Sequence, residues 1–172
     1  MRQRRNVLET DRLKLRTMDE GDKEFLFSMF QNEEVMKYYP SLKDEEQTEE
    51  WIKWNQKNDQ RFDTSLWIIE DKRTGEALGQ SGIILQKVEE KTELEIGYML
   101  KRDAWGRGYA FEAAKGCISY GFEYMKVRRL ISLINPANER SIQVAAKLGM
   151  KKEKTISKWN QTIDVYSINS LC

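Results

Sequence analysis

Apolar residues alternate with polar ones over residues 11–18 (DRLKLRTM), the period of a half-buried strand, and the spacing turns helical over residues 22–30. Pro40 interrupts the chain, after which residues 43–58 return to a helical pattern with acids at the start and Trp51, Ile52 and Trp54 on an apolar side. Residues 65–70 and 77–87 read as strands flanking DKRTGE, where Thr74 and Gly75 predict a hairpin turn. Residues 93–101 (ELEIGYMLK) form the next strand, with Leu94, Ile96, Tyr98 and Leu100 on one face.

The longest helical pattern covers residues 106–125, and Ala110, Ala113, Ala114, Cys117 and Gly121 let it lie close against a sheet. A short buried-type strand follows at residues 129–134. Residues 138–148 are a helix with a marked start and stop, since Asn138 suits the N-cap and Gly149 the left-handed residue after the last turn. Strands over residues 151–157 and 164–170 complete the chain. The order is strand, two helices, three strands, helix, strand, helix, two strands, which predicts a mixed α/β sheet layered by helices. The strand–helix–strand passage over residues 93–134 supplies a parallel pair, and ligands commonly bind outside the strand ends at such a switch. The 172 residues fit a single domain spanning 1–172, without repeat, linker or low-complexity segment.

Between the strand at 93–101 and the long helix lies WGRGYA, residues 105–110. It fails as a dinucleotide fingerprint because Phe111 fills the third glycine position, and no GK[ST] makes it a Walker loop. What remains is a turn of small residues that exposes backbone N–H groups at a helix N-terminus, where an anion is favoured. A tight turn without any ligand fits the motif equally well.

Composition narrows the chemistry. Lys and Arg number 29 against 28 Asp and Glu, so net charge gives no case for a nucleic-acid or membrane partner. The basic patch of RQRR with Lys126, Arg128 and Arg129 reads as solvated surface. The two cysteines, Cys117 and Cys172, resemble neither a disulfide framework nor a metal cluster, which points to a reducing compartment. With no apolar leader or spanning stretch, the expected location is cytoplasmic. Histidine is absent, which removes Ser-His-Asp and Cys-His pairs, the HExxH zinc site and an imidazole base. Catalysis must then rest on carboxylates, hydroxyls, backbone amides or a cofactor.

ETDRLKLRTM, NEEVMKYY with TEEWIKW, ELEIGYML, WGRGYA and NPANERSIQVAAKLGMKKE, in this order, resemble the GNAT superfamily of acyl-CoA-dependent N-acetyltransferases. The likeness is to the branch containing ribosomal-protein N-terminal acetyltransferases and small-amine acetyltransferases. It implies a mostly antiparallel sheet of about seven strands with the parallel pair at a central splay, flanked by about four helices. It also implies acetyl-CoA as co-substrate, direct attack by the amine in a ternary complex and no metal.

In that family a [QR]-x-x-G-x-[GA] turn cradles the coenzyme A pyrophosphate, and Trp105, Gly108 and Ala110 stand at its marked positions, with Trp105 replacing the usual Gln or Arg. By the same resemblance Gly106, Arg107, Gly108, Tyr109 and Ala110 surround the pyrophosphate, Arg107 being equally suited to a solvated side chain. The strand edge at Tyr98, Met99 and Leu100 pairs with the pantetheine arm, Gly97 being placed for a bulge, and one of its amides holds the oxygen charge that develops during transfer. Asn138 lies beside the same arm while capping its helix.

Glu95 matches a carboxylate that some members use as base through water, though a solvated Glu paired with Lys fits the strand too. Ser141 is placed to give the departing sulfur a proton, or else is a structural hydroxyl. Polyamine-acetylating relatives carry a tyrosine where this chain has Ala145. Acceptor recognition falls on Tyr38, Tyr39, Trp51, Trp54 and Trp159, unless these aromatics serve the core or an interface. The implied acceptor is a protein N-terminal amine, with a small amine or polyamine as alternative. A non-catalytic acyl-CoA-binding module is the remaining one. The protein is expected to be a monomer or homodimer.

Overall fold

The computed structural model describes residues 3–171; Cys172 and the Arg2 of the basic patch lie outside the described residues. Its strands are β1 (Asn6–Glu9), β2 (Leu13–Arg16), β3 (Ser65–Asp71), β4 (Ala77–Val88), β5 (Lys91–Leu100), β6 (Arg129–Ile134), β7 (Lys151–Lys158) and β8 (Gln161–Asn169). The helices are α1 (Lys23–Phe30), α2 (Glu45–Phe62), α3 (Tyr109–Ser119) and α4 (Glu139–Lys147). One sheet takes all eight described strands in the order β1-β2-β3-β4-β5-β6-β8-β7, antiparallel except for β5 beside β6. The strand beyond the seven expected is β1, which holds only Val7 and Leu8 as apolar residues and so carries no alternation to read.

Period-2 patterning assigns the two faces of the sheet. Trp67, Ile69, Ile83, Ile96 and Leu100 point to one face and bury Ala113, Ala114 and Cys117 of α3. Leu66, Ile68, Ile84 and Met99 point to the other, against Leu26 and Phe30 of α1 and Ile52 of α2. Glu95 falls on this second face, two residues from Gly97 and four from Met99, and the antiparallel register sets it opposite Ile84.

Local chemistry explains the helix limits. Asp44 accepts from the Gln47 N–H at 2.8 Å while Gln47 Oε1 accepts from the Asp44 N–H at 2.9 Å, a reciprocal cap that starts α2 one residue later, at Glu45. The long helix expected from residue 106 begins instead at Tyr109, because Gly106 and Gly108 both adopt positive φ (80° and 79°), which ends any right-handed helix there. Past Ser119 the chain widens into a π-helical turn over Tyr120–Tyr124. Asn138 caps α4 through its Oδ1, which accepts from the Ser141 N–H at 3.3 Å, and Gly149 after the helix has φ 85°.

Candidate active site

The sheet opens where its one parallel pair fails. β5 and β6 register at a single pair, Glu95 with Ile131, and beyond it two side chains replace the missing ladder bonds. Ser132 Oγ donates to the Ile96 carbonyl at 2.9 Å, and the Leu133 N–H donates to Glu95 Oε2 at 3.1 Å. On the other edge β5 stays in register with β4 straight through Gly82 and Gly97, so the expected bulge at Gly97 is absent from that ladder. The opening arises on the β6 side alone. A Cβ at Gly97 would stand 3.0 Å from Leu66 Cδ2, so a larger residue would need the Leu66 side chain to shift by a few tenths of an ångström.

A cleft of about 1430 Å³, its open mouth included, runs from this gap along the α1 and α2 face of the sheet. Glu95, Tyr98, Met99, Asn138 and Ser141 line it together with Tyr38, Tyr39, Trp51, Trp54 and Trp159. Residues far apart in sequence are thus brought to one cavity. Of the predicted strand edge, Leu100 is the exception: its side chain belongs to the core, and its carbonyl accepts from Trp105 Nε1 at 3.0 Å.

Glu95 is 8% exposed. Burial pushes its carboxyl up to about 7, against the opposing pull of the Gln86 amide, which donates to Oε1 at 3.1 Å, and of the Leu133 N–H. Such a group exchanges a proton near neutral pH. Tyr39 is 45% exposed as a residue, but its hydroxyl end is desolvated in the cleft near the Glu95 carboxylate and is raised to about 12, so it stays protonated there. Tyr98 donates its hydroxyl to the Ser141 carbonyl at 2.9 Å, tying β5 to the first turn of α4 across the gap. Burial raises that hydroxyl as well.

The turn at residues 105–110 lies past the end of β5. Gly108 is the N-cap of α3 and supplies no side-chain hydrogen bond, so the first N–H groups of the helix are left for an external acceptor. Space above the glycines is open, with nothing within 4 Å of a Cβ at Gly106. Arg107 is exposed, Ala110 is half-buried and the Tyr109 ring is buried beneath the Arg12 guanidinium, 4.4 Å from its centroid. Arg12 also pairs with Glu112 at 2.7 Å, which offsets the charge it brings to the turn. This geometry fits a phosphate group. Trp105 does not reach into the turn: its ring lies between the guanidinium groups of Arg102 (4.6 Å) and Arg140 (4.5 Å), filling the junction of β5 and α4.

Several of these contacts had no signal in the sequence. Gln86 reaches Glu95 because the β4–β5 register makes them diagonal neighbours, and Leu133 reaches it only because β6 has separated. Lys43 stands over the rings of Trp51 (5.0 Å) and Phe30 (5.9 Å) in the cleft wall, a placement set by how α1 and α2 pack.

The Acetyltransferase (GNAT) domain family matches residues 12–151. The uncharacterized protein YkkB of Bacillus subtilis (strain 168) is 51% identical over 164 residues, 95% of each chain. An acetyltransferase structure from Agrobacterium tumefaciens str. C58 superposes with a TM-score of 0.83 at 26% identity, covering 95% of this chain and 94% of the other. RimL, a ribosomal alpha-N-protein acetyltransferase solved with coenzyme A, shares the fold with a TM-score of 0.79 at 16% identity over 96% of this chain and 98% of its own. A family match over most of the chain, on a sheet that splays beside a buried carboxylate, makes this protein a member of the GNAT N-acetyltransferases.

Proposed function

We propose that the protein transfers the acetyl group of acetyl-CoA to the α-amine of a protein N-terminus, with Glu95 as the base. The observation that carries this is the buried Glu95 carboxyl, poised at about 7 in the wall of the cleft. A free α-amine titrates near roughly 8, so passing its proton to Glu95 is uphill by about 1 unit, or about 1.4 kcal/mol. A lysine or polyamine ammonium, near roughly 10.4, would cost about 4.6 kcal/mol for the same transfer. Proton transfer to Glu95 is therefore easier from an α-amine than from a lysine-type ammonium.

The residues present suit the co-substrate. The backbone of residues 106–110 at the start of α3 would receive the pyrophosphate, with Arg107 beside it. Tyr98, Met99 and Asn138 line the path that the pantetheine arm would follow, and Leu100 adds at most its backbone. Acetyl-CoA supplies the thioester. Glu95 takes a proton from the incoming ammonium and keeps its own position through Gln86 and Leu133. An amide of β5 near Tyr98 faces the developing oxygen charge, and Ser141, which lines the same cleft, gives its hydroxyl proton to the departing sulfur and is reprotonated by the proton that the acetylated nitrogen loses.

Mass spectrometry of a cell lysate incubated with the protein and labelled acetyl-CoA tests the acceptor class. Label on protein N-termini is the expected result. Label confined to lysine side chains or to polyamines would refute the α-amine assignment.

A further inference from the structure

Trp159 occupies a position that its residue type rarely takes. β7 and β8 join through a two-residue turn between the paired Lys158 and Gln161, and both turn residues, Trp159 (φ 55°) and Asn160 (φ 57°), are left-handed. Asn, Asp and Gly are the usual occupants of such a turn, and a bulky side chain with positive φ is an outlier. Packing does not account for it, since the ring joins none of the buried clusters and remains 46% exposed. It lines the cleft instead. Strain held at a site wall points toward a use for the side chain.

The ring has company there. Tyr39 and Trp54 are also large and exposed, at 45% and 40%, and line the same cleft from the α1–α2 side, with Trp54 stacked on Trp51 at 5.6 Å. Among the described residues Glu95 and Lys43 are the only charged side chains lining the cavity. The Lys43 ammonium is half-buried over Trp51 and Phe30, and burial alone lowers its pKa, because no carboxylate among the described residues pairs with it. Outside the cavity lining, the Lys158 ammonium donates to the Lys87 carbonyl at 2.8 Å and lies 5.0 Å over the Trp159 ring. An acceptor with several positive charges would find one carboxylate, already engaged as base, and the Lys43 ammonium in the cavity wall. An acceptor with one amine and an apolar body would find aromatic walls.

We propose, resting on the α-amine assignment above, that the acceptor is an N-terminus whose first residue is bulky and apolar, best aromatic, and whose next residues are neutral or acidic. Trp159, Tyr39 and Trp54 receive the first side chain, and Lys43 faces the group beyond it. The acceptor class is therefore selected by ring contact and by repulsion of a second cation.

The test uses the full chain with acetyl-CoA and five probes: the peptide amides Phe-Ser-Ala, Ala-Ser-Ala, Phe-Asp-Ala and Phe-Lys-Ala, and spermidine. The expected kcat/KM for Phe-Ser-Ala exceeds that for Ala-Ser-Ala by about tenfold, the scale of one buried aromatic contact, and Phe-Asp-Ala exceeds Phe-Lys-Ala. Trp159→Asn removes the ring and places a residue suited to the turn, so its thermal midpoint is expected not to fall while the Phe to Ala preference shrinks several-fold. Lys43→Glu should reverse the Asp to Lys preference. Equal use of the Phe and Ala peptides would overturn the proposal, as would a preference untouched by Trp159→Asn. A change in molecular mass in solution on Trp159→Asn would also overturn it, marking the ring as a subunit contact. Acetylation of spermidine with every peptide inert would overturn the α-amine assignment itself.

Discussion

Glu95 is held by one side-chain amide and one backbone N–H and is otherwise deprived of water, so burial outweighs both hydrogen bonds and its proton is retained up to about pH 7. Replacing it by Gln should lower kcat about a hundredfold, the usual share of a general base, and remove the rise in kcat through about pH 7. Initial rates from pH 5.5 to 9 would show this; an unchanged profile would remove Glu95 from proton transfer. The same residue makes a stability prediction of definite sign. Because its pKa is raised on folding, from about 4.5 to about 7, the folded state binds the extra proton between those values. The stabilisation is complete below about 4.5 and is lost as pH rises through about 7, amounting to about 3 kcal/mol. Denaturant titrations of the parent and Glu95→Gln across this window should differ by that slope. Trp105 resolves differently: its indole donates to the Leu100 carbonyl and its ring lies within 4.6 Å of the Arg102 and Arg140 guanidinium groups, a structural use.

At the scale of elements, the start of α3 is decided by two left-handed glycines. An alanine at Gly108 would meet only Arg12 Nη2, at the ordinary contact distance of 3.5 Å, so its cost comes from φ 79° and not from a clash. Gly108→Ala is therefore expected to destabilise by about 1 to 2 kcal/mol. It should also weaken acetyl-CoA binding by about tenfold or more, as a methyl group and a displaced N–H enter the phosphate seat. Calorimetric titration alongside thermal denaturation separates the two effects, and unaltered affinity would place the phosphate elsewhere. Most elements were legible from the pattern of apolar residues: α4 buries one face, and β6 is a short run buried on both. β1 was not legible. It is short, half-exposed and held by pairing with β2, a contact that no local pattern encodes.

For the molecule as a whole, the cleft exists because α1 and α2 are fixed over one face of the sheet, and an ion pair at the start of α1 helps to fix them. Arg16 on β2 donates to both oxygens of Asp22 (2.9 and 2.8 Å) and stands 3.0 Å from Glu70, with both Arg16 and Asp22 buried. Asp22→Ala would leave a buried guanidinium with one carboxylate partner in place of two, and a loss of about 3 kcal/mol is expected in chemical denaturation. A loss below about 1 kcal/mol would mean that water reaches Arg16. The sequence by itself determined the α/β class, the strand–turn–helix order and the small-residue turn at residues 105–110, because these follow from side-chain period and backbone freedom, which are local. Residues 95, 98, 138 and 141 were legible as site candidates through motif order. Only the tertiary structure decided that Glu95 is a buried acid near neutrality, that Tyr98 ties β5 to α4, and that Tyr39, Trp54 and Trp159 share one rim. The reason is physical: desolvation and cross-strand contact depend on which distant segments meet, and here the separation of β5 from β6 sets that meeting place.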